Sequence, residues 1–379
     1  MSWIDCELGD VVTLKRGHDL PKDNRSEGQV PVVSSSGITG WHNEIKAEPP
    51  GVVTGRYGTI GEVFYLDRPY WPLNTALYAI DFHGNDPRFV AYFLRSQLKN
   101  YKSEKAAVPG VDRNVLHKIK VRCPDPQSQS KIVSVLSAYD DLIENNRRRI
   151  ALLEQAARLL YREWFVHFRF PGYETAKFVN GLPEGWELKT YGELFNFQGG
   201  FAFKSSSYVA DGRYGVVTIK NVHDARFVQE CASRVPDIPA KMKPHCRLET
   251  GDVLLSLTGN VGRSCIVVGD NYLLNQRVAK IVGRTGIPRT FVYWSFSNHQ
   301  TIKDLENLAY GVAQLNLSPV NLAARGFVRP ANGVLEEFDR LLSPVFDQLI
   351  NLVKQNAQLT KARDLLLPRV MDGRIPVKV

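Results

Sequence analysis

Cysteine is scarce in this chain, and long apolar runs are missing. The 379 residues contain five cysteines, none of them in a Cys-x-x-Cys pair, and an odd number cannot all pair within one chain. This usage favours a reducing compartment, so we expect a cytoplasmic protein. No stretch approaches the roughly 18 uninterrupted apolar residues of a membrane span, and residues 1–5 show no basic stretch before an apolar run, so we expect neither a membrane anchor nor secretion.

The motifs of common catalytic and cofactor sites are also missing. The chain has no Gly-x-x-x-x-Gly-Lys-Ser/Thr loop for nucleotide phosphates and no Gly-x-Gly-x-x-Gly loop for dinucleotides. Its one Pro-Pro, in Glu48-Pro49-Pro50-Gly51, lacks the neighbours of the turn that holds the target amine in DNA amino-methyltransferases. The Pro-Asp pairs at 124–125 and 236–237 lack a nuclease-like acidic-x-Lys in the same half, and His245-Cys246 lacks partners at zinc spacing. We expect no catalytic residue, cofactor or metal here.

Positive charge exceeds negative charge. Lys and Arg number 48 against 39 Asp and Glu, which gives a formal net charge of +9. Such a surplus suits a phosphate-rich partner, although many basic proteins bind no nucleic acid. The apolar fraction of 44% is typical of folded soluble proteins, and 379 residues exceed the size of one ordinary core. We therefore expect two globular units.

The chain repeats one order of short motifs. Trp3-x5-Gly9-Asp10 recurs as Trp186-x5-Gly192-Glu193, Gly58-Thr59-Ile60-Gly61 recurs as Gly259-Asn260-Val261-Gly262, and Asn74 recurs as Asn275. The offset grows slowly, from 192 − 9 = 183 to 259 − 58 = 201 and 275 − 74 = 201. A repeat of about half the chain is far longer than a solenoid unit of roughly 20 to 50 residues. Each copy is therefore expected to be a domain with its own core.

Both copies are predicted to be α+β domains. Short β-branched or aromatic runs between Gly, Ser and Pro clusters predict strands. A helix is predicted at 87–98 in the first copy, and a second one opens at 291–296 in the other. The predicted strands are 30–33, 51–54 and 61–65, then 215–219, 251–255 and 265–268.

A heptad pattern follows each domain. Apolar residues step by four and three from Ile132 to Trp164 and again from Phe338 to Val370. A narrow apolar seam on a polar helix packs against another such helix, so we predict two long paired helices. Residues 132–164 would form a rod on the order of 50 Å, long enough to hold two domains apart. The predicted seam residues are Ile132, Leu136, Tyr139, Ile143, Ile150, Leu153, Leu160, Trp164, Phe338, Leu342, Val345, Leu349, Leu352, Leu359 and Leu366.

Several features of these segments leave alternatives open. The helices can instead be ordinary core helices of each domain. Pro344 is expected to kink the second helix or to make residues 334–342 a separate turn, and Pro368 is expected to disturb its far end. Asn146 and Asn356 either fix the helix register at some cost in stability or point outward.

This tandem pair of α+β domains, each followed by a long helix, resembles the specificity subunit of type I restriction-modification systems. The matching marks are Trp3 and Trp186 before their Gly-Asp or Gly-Glu turns, the two Gly-x-x-Gly motifs, and Leu-Ser-Ala-Tyr-Asp-Asp at 136–141. The likeness covers essentially the whole chain. Departures are Pro344, Arg363 on the second seam, and the divergence of the two domains, since Ser34-Ser35-Ser36 has no evident counterpart at 218–220.

The resemblance implies a division of labour between subunits. Two target-recognition domains, 1–124 and 171–330, would each read one half of a split double-stranded DNA target. The spacer helices, 125–170 and 331–379, would pack as an antiparallel coiled coil that sets the gap. Two modification subunits with S-adenosylmethionine would methylate, and restriction subunits that use ATP and Mg would cleave, so this chain would be a non-catalytic subunit.

Base recognition requires side chains that reach base edges, Arg or Lys towards guanine and Asn or Gln towards adenine, whereas phosphate contacts hold the register. We predict such contacts in polar loop clusters, with a solvated surface as the alternative for each residue. In the first copy these are Lys15, Arg16, Ser34, Ser35, Ser36, Arg56, Tyr57, Arg113 and Asn114. In the second they are Lys204, Lys220, Asn221, Asn260, Arg263, Gln276, Arg277, Gln314 and Asn316.

Glycine and asparagine in the repeated motifs are expected to shape loops. Gly58, Gly61, Gly259 and Gly262 fit tight turns at strand ends, and a phosphate cradle is the alternative. The repeated asparagines, at 74 and 275, are expected to fasten loops.

Two clusters on the first long helix have several possible partners. Arg147, Arg148 and Arg149 fit a solvated face, and they can also grip phosphates between the half-sites or an acidic patch of a modification subunit. Four aromatic residues near the helix end exceed what a two-helix seam can bury, so we expect them to dock against the second domain or a modification subunit. They are Trp164, Phe165, Phe168 and Phe170.

Three rival functions remain open at this stage. The chain can be the DNA-reading or scaffold subunit of another methyltransferase-based defence system, or an anti-restriction decoy. It can also be a scaffold whose two domains bind proteins. Salt separates DNA binding from protein binding, because the logarithm of DNA affinity falls linearly with the logarithm of salt concentration. A free-standing enzyme is disfavoured by the missing motifs.

Overall fold

The computed structural model describes residues 2–56, 61–99, 110–309, 316–375 and 377. The chain forms two compact units, one from Met1–Ile143 with Gln358–Val379 and the other from Glu144–Ala357. Two long helices, α4 (Pro126–Tyr161) and α9 (Asn332–Met371), each contribute one segment to each unit. Each globular part is therefore built together with parts of both helices.

The first unit is an α+β domain. Its strands are β1 Trp3–Glu7, β2 Thr13–Arg16, β3 Val30–Ser34, β4 Gly37–His42, β5 Gly51–Gly55, β6 Val63–Leu66, β7 Trp71–Pro72, β8 Ala76–Asp81 and β9 Lys120–Pro124. Besides α4 and α9 its helices are α1 Leu8–Val11, α2 Pro87–Leu98 and α3 Arg113–His117. The strands form an antiparallel sheet β2-β8-β5-β6, a sheet β4-β3-β7 with a parallel β3-β7 pair, and an antiparallel pair β1-β9.

Helix α2 has the bounds that the sequence predicts, because its start signal is local. The Asp86 carboxylate accepts hydrogen bonds from the backbone N–H groups of Arg88 and Phe89, and Pro87 occupies the first turn. Its buried face places Phe89 and Phe93 in the core between the four-stranded sheet and the long helices.

The second unit has more elements. Its strands are β10 Phe178–Val179, β11 Leu182–Pro183, β12 Glu187–Thr190, β13 Phe195–Gly199, β14 Tyr214–Val217, β15 Val222–His223, β16 Arg226–Phe227, β17 Arg234–Val235, β18 Arg247–Leu248, β19 Val253–Ser256, β20 Ser264–Ile266, β21 Tyr272–Leu274, β22 Val278–Gly283 and β23 Gly326–Arg329. Its own helices are α5 Tyr191–Leu194, α6 Arg289–Phe296, α7 His299–Leu308 and α8 Pro319–Ala324.

The second unit repeats the topology of the first. The antiparallel sheet β13-β22-β19-β20 corresponds to β2-β8-β5-β6, the parallel pair β14-β21 to β3-β7, and the pair β12-β23 to β1-β9. The β15-β16 hairpin and the strands β17 and β18 have no counterpart in the described part of the first unit. The duplication predicted from the motifs is therefore a duplication of folds, with additions to the second copy.

The repeated Trp-x5-Gly motif is a packing motif. Gly9 in α1 faces α3, where an added Cβ would lie 3.1 Å from the His117 Cβ. Gly192 in α5 faces α8 in the same way, 3.1 Å from the Ala323 Cβ. Glycine thus permits two short helices to approach closely, and it does so at the same place in both units.

The long helices pack against each other in antiparallel fashion. Within the second unit, the Asn146 amide donates to the Asn356 side-chain oxygen at 3.0 Å, and the ring centroids of Trp164 and Phe338 are 5.7 Å apart. Moving forward along α4 therefore means moving backward along α9. In the first unit Arg363 forms an ion pair with Asp140, which continues the same register.

The predicted seam is confirmed as the packed face of the helices. Of its fifteen residues, eight are buried, seven are partly buried and none is exposed. The alternative of core helices also holds in part, because Ile132 and Leu136 lie in the core of the first unit and Phe338 and Leu342 in that of the second. The helices therefore form a seam and complete two cores with the same apolar face.

The proline and aromatic predictions have different outcomes. Helix α9 runs without a break through Pro344 and Pro368, so the separate turn predicted at 334–342 is wrong. Burial of Leu342 and Phe346 on either side of Pro344 opposes a break there, at the cost of one backbone hydrogen bond. The four aromatic residues beyond α4 dock onto the second unit's core, as the sequence predicts.

Polar seam residues face inward and are paired. Asn146 is only 5% exposed and bonds to Asn356, which decides between the two predicted alternatives in favour of a register-fixing pair. The three arginines at 147–149 are exposed, and Arg148 contacts Glu144 at 3.1 Å. A solvated face therefore describes these arginines within their unit.

A buried carboxyl ties α4 to α6 in the second unit. Tyr293 donates a hydrogen bond of 2.6 Å to Glu154, which is 7% exposed. Arg158 lies 3.8 Å from the same carboxyl and forms an ion pair of 2.9 Å with Asp224. Burial raises the pKa of Glu154 to about 7, and the Tyr293 hydrogen bond and Arg158 offset this only in part.

We expect the Glu154→Gln variant to remove a pH dependence of stability. Because the folded chain raises this pKa above its ordinary 4.5, the stabilisation is present below that value and is lost as the pH rises through about 7. Between pH 5 and pH 8 the unaltered chain should lose about 2–3 kcal/mol of unfolding free energy relative to the variant. Calorimetry at several pH values measures this difference. Glu144→Gln, an exposed carboxylate on the same helix, is the control, and a pH-independent difference would contradict the assignment.

A second prediction concerns the asparagine pair. Asn146→Leu should destabilise the second unit by about 1–3 kcal/mol, because the Asn356 side chain loses its partner beside the apolar seam. Replacing both residues by Leu should restore stability to at least the original value, since apolar pairs pack better at seam positions. Denaturant unfolding of the two single variants and the double variant tests this. The interpretation fails if the double variant shows the summed loss of the single ones.

Candidate nucleic-acid interface

Backbone hydrogen bonds gather several loops at one end of the four-stranded sheet in the second unit. Gln276 N donates to Phe201 O at 3.0 Å, and Leu257 N donates to Arg277 O at 3.0 Å. Leu317 N donates to Leu257 O at 2.8 Å, next to a bridge between residues 258 and 316. We call this the loop end of the unit, formed by residues 200–204, 257–262, 275–277 and 316–317.

The first unit has the same frame. Asn74 N donates to His18 O at 3.0 Å, Arg56 N donates to Thr75 O at 2.9 Å, and Val111 N donates to Arg56 O at 2.8 Å. Each bond has its counterpart in the second unit, with offsets 201 − 18 = 183, 257 − 56 = 201 and 317 − 111 = 206. The loop end of the first unit is therefore formed by residues 17–19, 56, 73–75 and 110–114.

These bonds also correct the alignment of the copies. Leu73 N donates to Val33 O, and Asn275 N donates to Val217 O, so Asn275 corresponds to Leu73 with an offset of 202. Asn74 corresponds to Gln276 by the same criterion, rather than to Asn275. A one-residue difference in loop length before β7 and β21 causes the shift, which motif matching alone does not reveal.

Exposed polar side chains occupy the loop end of the second unit. Asn260, Gln276, Arg277 and Asn316 are exposed there, and Lys204 lies on the loop that follows Phe201. Lys220 is exposed on the short turn after β14, whose residue Val217 bonds to Asn275. No described carboxylate forms an ion pair with Lys204, Lys220 or Arg277. The surface thus offers positive charge together with amide donors and acceptors.

The loop end of the first unit is also positively charged. Arg113 and Asn114 are exposed on the first turn of α3, beside Arg56. Lys15 and Arg16 are exposed at the end of β2 that leads into Gly17, and Arg16 lies 3.8 Å from Asp19. Ser35 is partly buried and Ser36 exposed at the tip of the β3-β4 hairpin.

His18 reports the local potential. Burial lowers its pKa first, and the positive charges of Lys15 and Lys46 lower it further. Lys46 lies over the Trp71 ring at 4.8 Å. Positive charge is therefore held close to the backbone frame of this loop end.

Four polar side chains serve the loops themselves. Ser34 is buried and hydrogen-bonds to Ser36 and to Gly37 O within the hairpin turn. Asn221 is 2% exposed and donates to Val228 O and Glu230 O. We remove Ser34 and Asn221 from the candidate DNA contacts, because a buried and hydrogen-bonded group does not reach a base edge. As expected, the other two asparagines fasten loops, with Asn74 bonding to Asp19 and Asn275 to Arg277 N.

Other predicted positions have a structural partner or fall outside the described chain. Arg263 forms an ion pair of 3.4 Å with Glu306 and thereby holds α7 to the turn after β19. Gly61, Gly259 and Gly262 have φ of +94°, +68° and +79°, which confirms the expected tight turns. Tyr57, Gly58 and Gln314 lie outside the described residues.

The sequence prediction missed the first loop of each frame. An added Cβ on Gly17 would lie 2.2 Å from Leu73 O, and one on Gly200 would lie 2.3 Å from Asn275 O, so both positions require glycine. His18 and Phe201 follow these glycines and accept the frame bonds. The offset 200 − 17 = 183 equals that of the Gly9 and Gly192 motifs, so the signal was present in the sequence.

The geometry suits binding rather than bond making. In the described part of the chain no group of three or more His, Cys, Asp and Glu side chains is placed to hold a metal ion. No described helix has the length and hydropathy needed to cross a membrane. The loop ends offer cations for phosphates and amides for base edges, which are the groups that duplex DNA recognition requires.

Comparison with known proteins supports this interpretation. The family model for the type I restriction modification DNA specificity domain matches residues 2–155 and again residues 183–326. The MjaIX specificity subunit of a type I restriction enzyme from Methanocaldococcus jannaschii is 25% identical over 71% of this chain and 64% of its own length. The HindI specificity subunit from Haemophilus influenzae is 22% identical over 72% of this chain and 73% of its own.

The fold also has a counterpart among solved structures. The S subunit of a type I restriction-modification system from M. genitalium aligns over 97% of this chain and 96% of its own, with a TM-score of 0.57 and 17% identity. Similarity at this level supports the fold alone. Two family domains spanning most of the sequence show that the chain belongs to the type I restriction modification DNA specificity family, the non-catalytic DNA-recognition subunits of type I restriction enzymes.

Proposed function

We propose that this chain recognises a bipartite duplex DNA target and directs type I modification and restriction subunits to it. Each loop end reads one half-site. The observation that carries this proposal is the duplicated backbone frame, which presents a separate positively charged surface in each unit.

The two frames hold different side chains at equivalent positions. Arg56 corresponds to Leu257, Asn74 to Gln276, and Thr75 to Arg277. Equal backbones with unequal side chains fit two half-sites of different sequence, because base edges are read by side chains and not by the shared frame.

Discrimination would come from a few of these residues. Gln276, Asn260 and Asn114 carry both a donor and an acceptor and suit adenine, whereas Arg277 and Arg113 suit the two acceptors of guanine. Lys15, Lys204 and Lys220 suit phosphates, which set the position without selecting a sequence. Binding is therefore expected to combine a salt-dependent part with a smaller sequence-dependent part.

The helices α4 and α9 are proposed to set the gap between half-sites. Both helices run through both units, and their register is held by polar pairs, Asn146 with Asn356 and Asp140 with Arg363. A register error would leave these buried polar groups unpaired, which costs free energy. The coiled coil thus favours one gap length.

Chemistry is proposed to reside on partner subunits. Two modification subunits would bring S-adenosylmethionine, and restriction subunits would bring ATP and Mg. We expect the assembly to work in the cytoplasm, where its DNA lies. This assignment rests on the family and on the loop ends, whose side chains suit recognition.

Loss of loop-end charge should weaken binding in proportion to the phosphates released. For the Lys204→Ala and Arg277→Ala double variant, we expect weaker binding to random-sequence duplex DNA and a log affinity against log salt slope smaller by about 1–2. Fluorescence anisotropy across a salt series measures both. Lys189→Ala with Arg340→Ala removes the same charge from residues that pair with Glu187 and Glu337 away from the loop end. Equal effects of the two double variants would refute the proposed surface.

Selection from a random DNA library tests the division into half-sites. Gln276→Ala should relax the preference at positions of one half-site only, with a loss of about 1–3 kcal/mol of discrimination, because one bidentate contact disappears. Arg113→Ala should relax positions of the other half-site only. If either variant alters both halves, or if the selected target is a single uninterrupted sequence, the bipartite reading is wrong.

A further inference from the structure

A cavity of about 250 Å³ lies in the second unit, on the side of α4 and α9 that faces the β15-β16 hairpin. It is separate from the loop end, with which it shares no lining residue. The hairpin that closes it belongs to the elements without a counterpart in the described part of the first unit. The cavity is therefore a feature that the duplicated frame does not require.

Most of the wall is apolar. It is formed by Ile150 of α4, by Phe227 of the hairpin, by residues of β20 and its following turn, and by one face of α9. These side chains are Ile150, Phe227, Ile266, Val268, Leu349, Ile350 and Val353. A molecule bound here must present an apolar body to them.

One carboxyl in this wall has an unused acceptor. Glu154 Oε1 accepts the hydrogen bond from Tyr293, whereas Oε2 is buried without a hydrogen-bond partner in the described structure. The nearest cation is Arg158, whose Nε lies 3.8 Å away and is itself without a hydrogen bond, while its other nitrogen pairs with Asp224. A buried acceptor left unpaired costs free energy, and a donor supplied from the cavity would remove that cost.

The surrounding charges determine what kind of donor fits. Arg158 lies beside the carboxyl, and Arg147 and Arg226 also line the cavity. A cationic amine would meet three guanidinium groups with one carboxylate already shared, and an anion would meet Glu154. An uncharged N–H or O–H donor avoids both conflicts.

We infer that this cavity is a binding site for a compact, uncharged and mainly apolar molecule that carries a single N–H or O–H donor directed at Glu154. Size supports a bicyclic ring, because apolar cavities of roughly 150 Å³ already admit benzene. This site goes beyond DNA recognition and does not depend on it.

Indole and indene form a matched pair of probes, since the two bicycles have nearly the same shape and only indole has an N–H group. Titration calorimetry on the full chain should give saturable binding of one indole, with a Kd of roughly 10 µM to 1 mM for a ligand of this size. Indene should bind about tenfold more weakly, because it leaves the Glu154 acceptor unpaired. Thermal unfolding should show a higher Tm with indole.

Two variants distinguish the cavity from nonspecific binding. Val353→Trp places a bicyclic side chain in the cavity from α9 and should abolish indole binding. Leu341→Trp adds the same ring to the same helix outside the cavity and should leave binding unchanged. Tm values of both variants without ligand confirm folding. Absence of saturable indole binding to the unaltered chain, or equal binding to both variants, would overturn the site, and equal affinity for indene would overturn the role of Glu154.

Discussion

The antiparallel packing of α4 against α9 is the interaction on which each unit depends. The first unit's core includes Ile132 and Leu136 from one helix and Val370 from the other. The second unit's core includes Trp164 and Phe338 in the same way. Neither core is complete without both helices, so burial of the seam and burial of the domain cores stabilise the same state.

The loop ends separate stability from specificity. Backbone N–H and C=O groups hold the frame in both units, so the frame does not depend on which side chains it carries. Arg56 and Leu257 can therefore occupy the same place without a change of fold. In a family whose members recognise DNA, this arrangement lets the recognised sequence change while the scaffold is kept.

Prediction of the site from sequence succeeded where a signal was periodic or local. Arg113, Gln276 and Arg277 were placed among the candidate contacts because polar residues follow predicted strands or turns, and the structure brings them to the loop ends. Ser34 and Asn221 belong to the same kind of cluster but turn inward. Exposure of a polar loop residue depends on which backbone groups in neighbouring loops need partners, and this is decided by contacts distant in sequence.

The sequence by itself determined the duplication, the α+β class, the helix at 87–98 and the heptad seam, because these follow from local propensity, capping and periodicity. Tertiary structure decided the rest. It carried α9 through Pro344, turned Asn146 towards Asn356, and left Glu154 buried with a raised pKa beside an apolar cavity. Each of these outcomes depends on burial between elements far apart in the chain, where the free energy of packing outweighs a local preference.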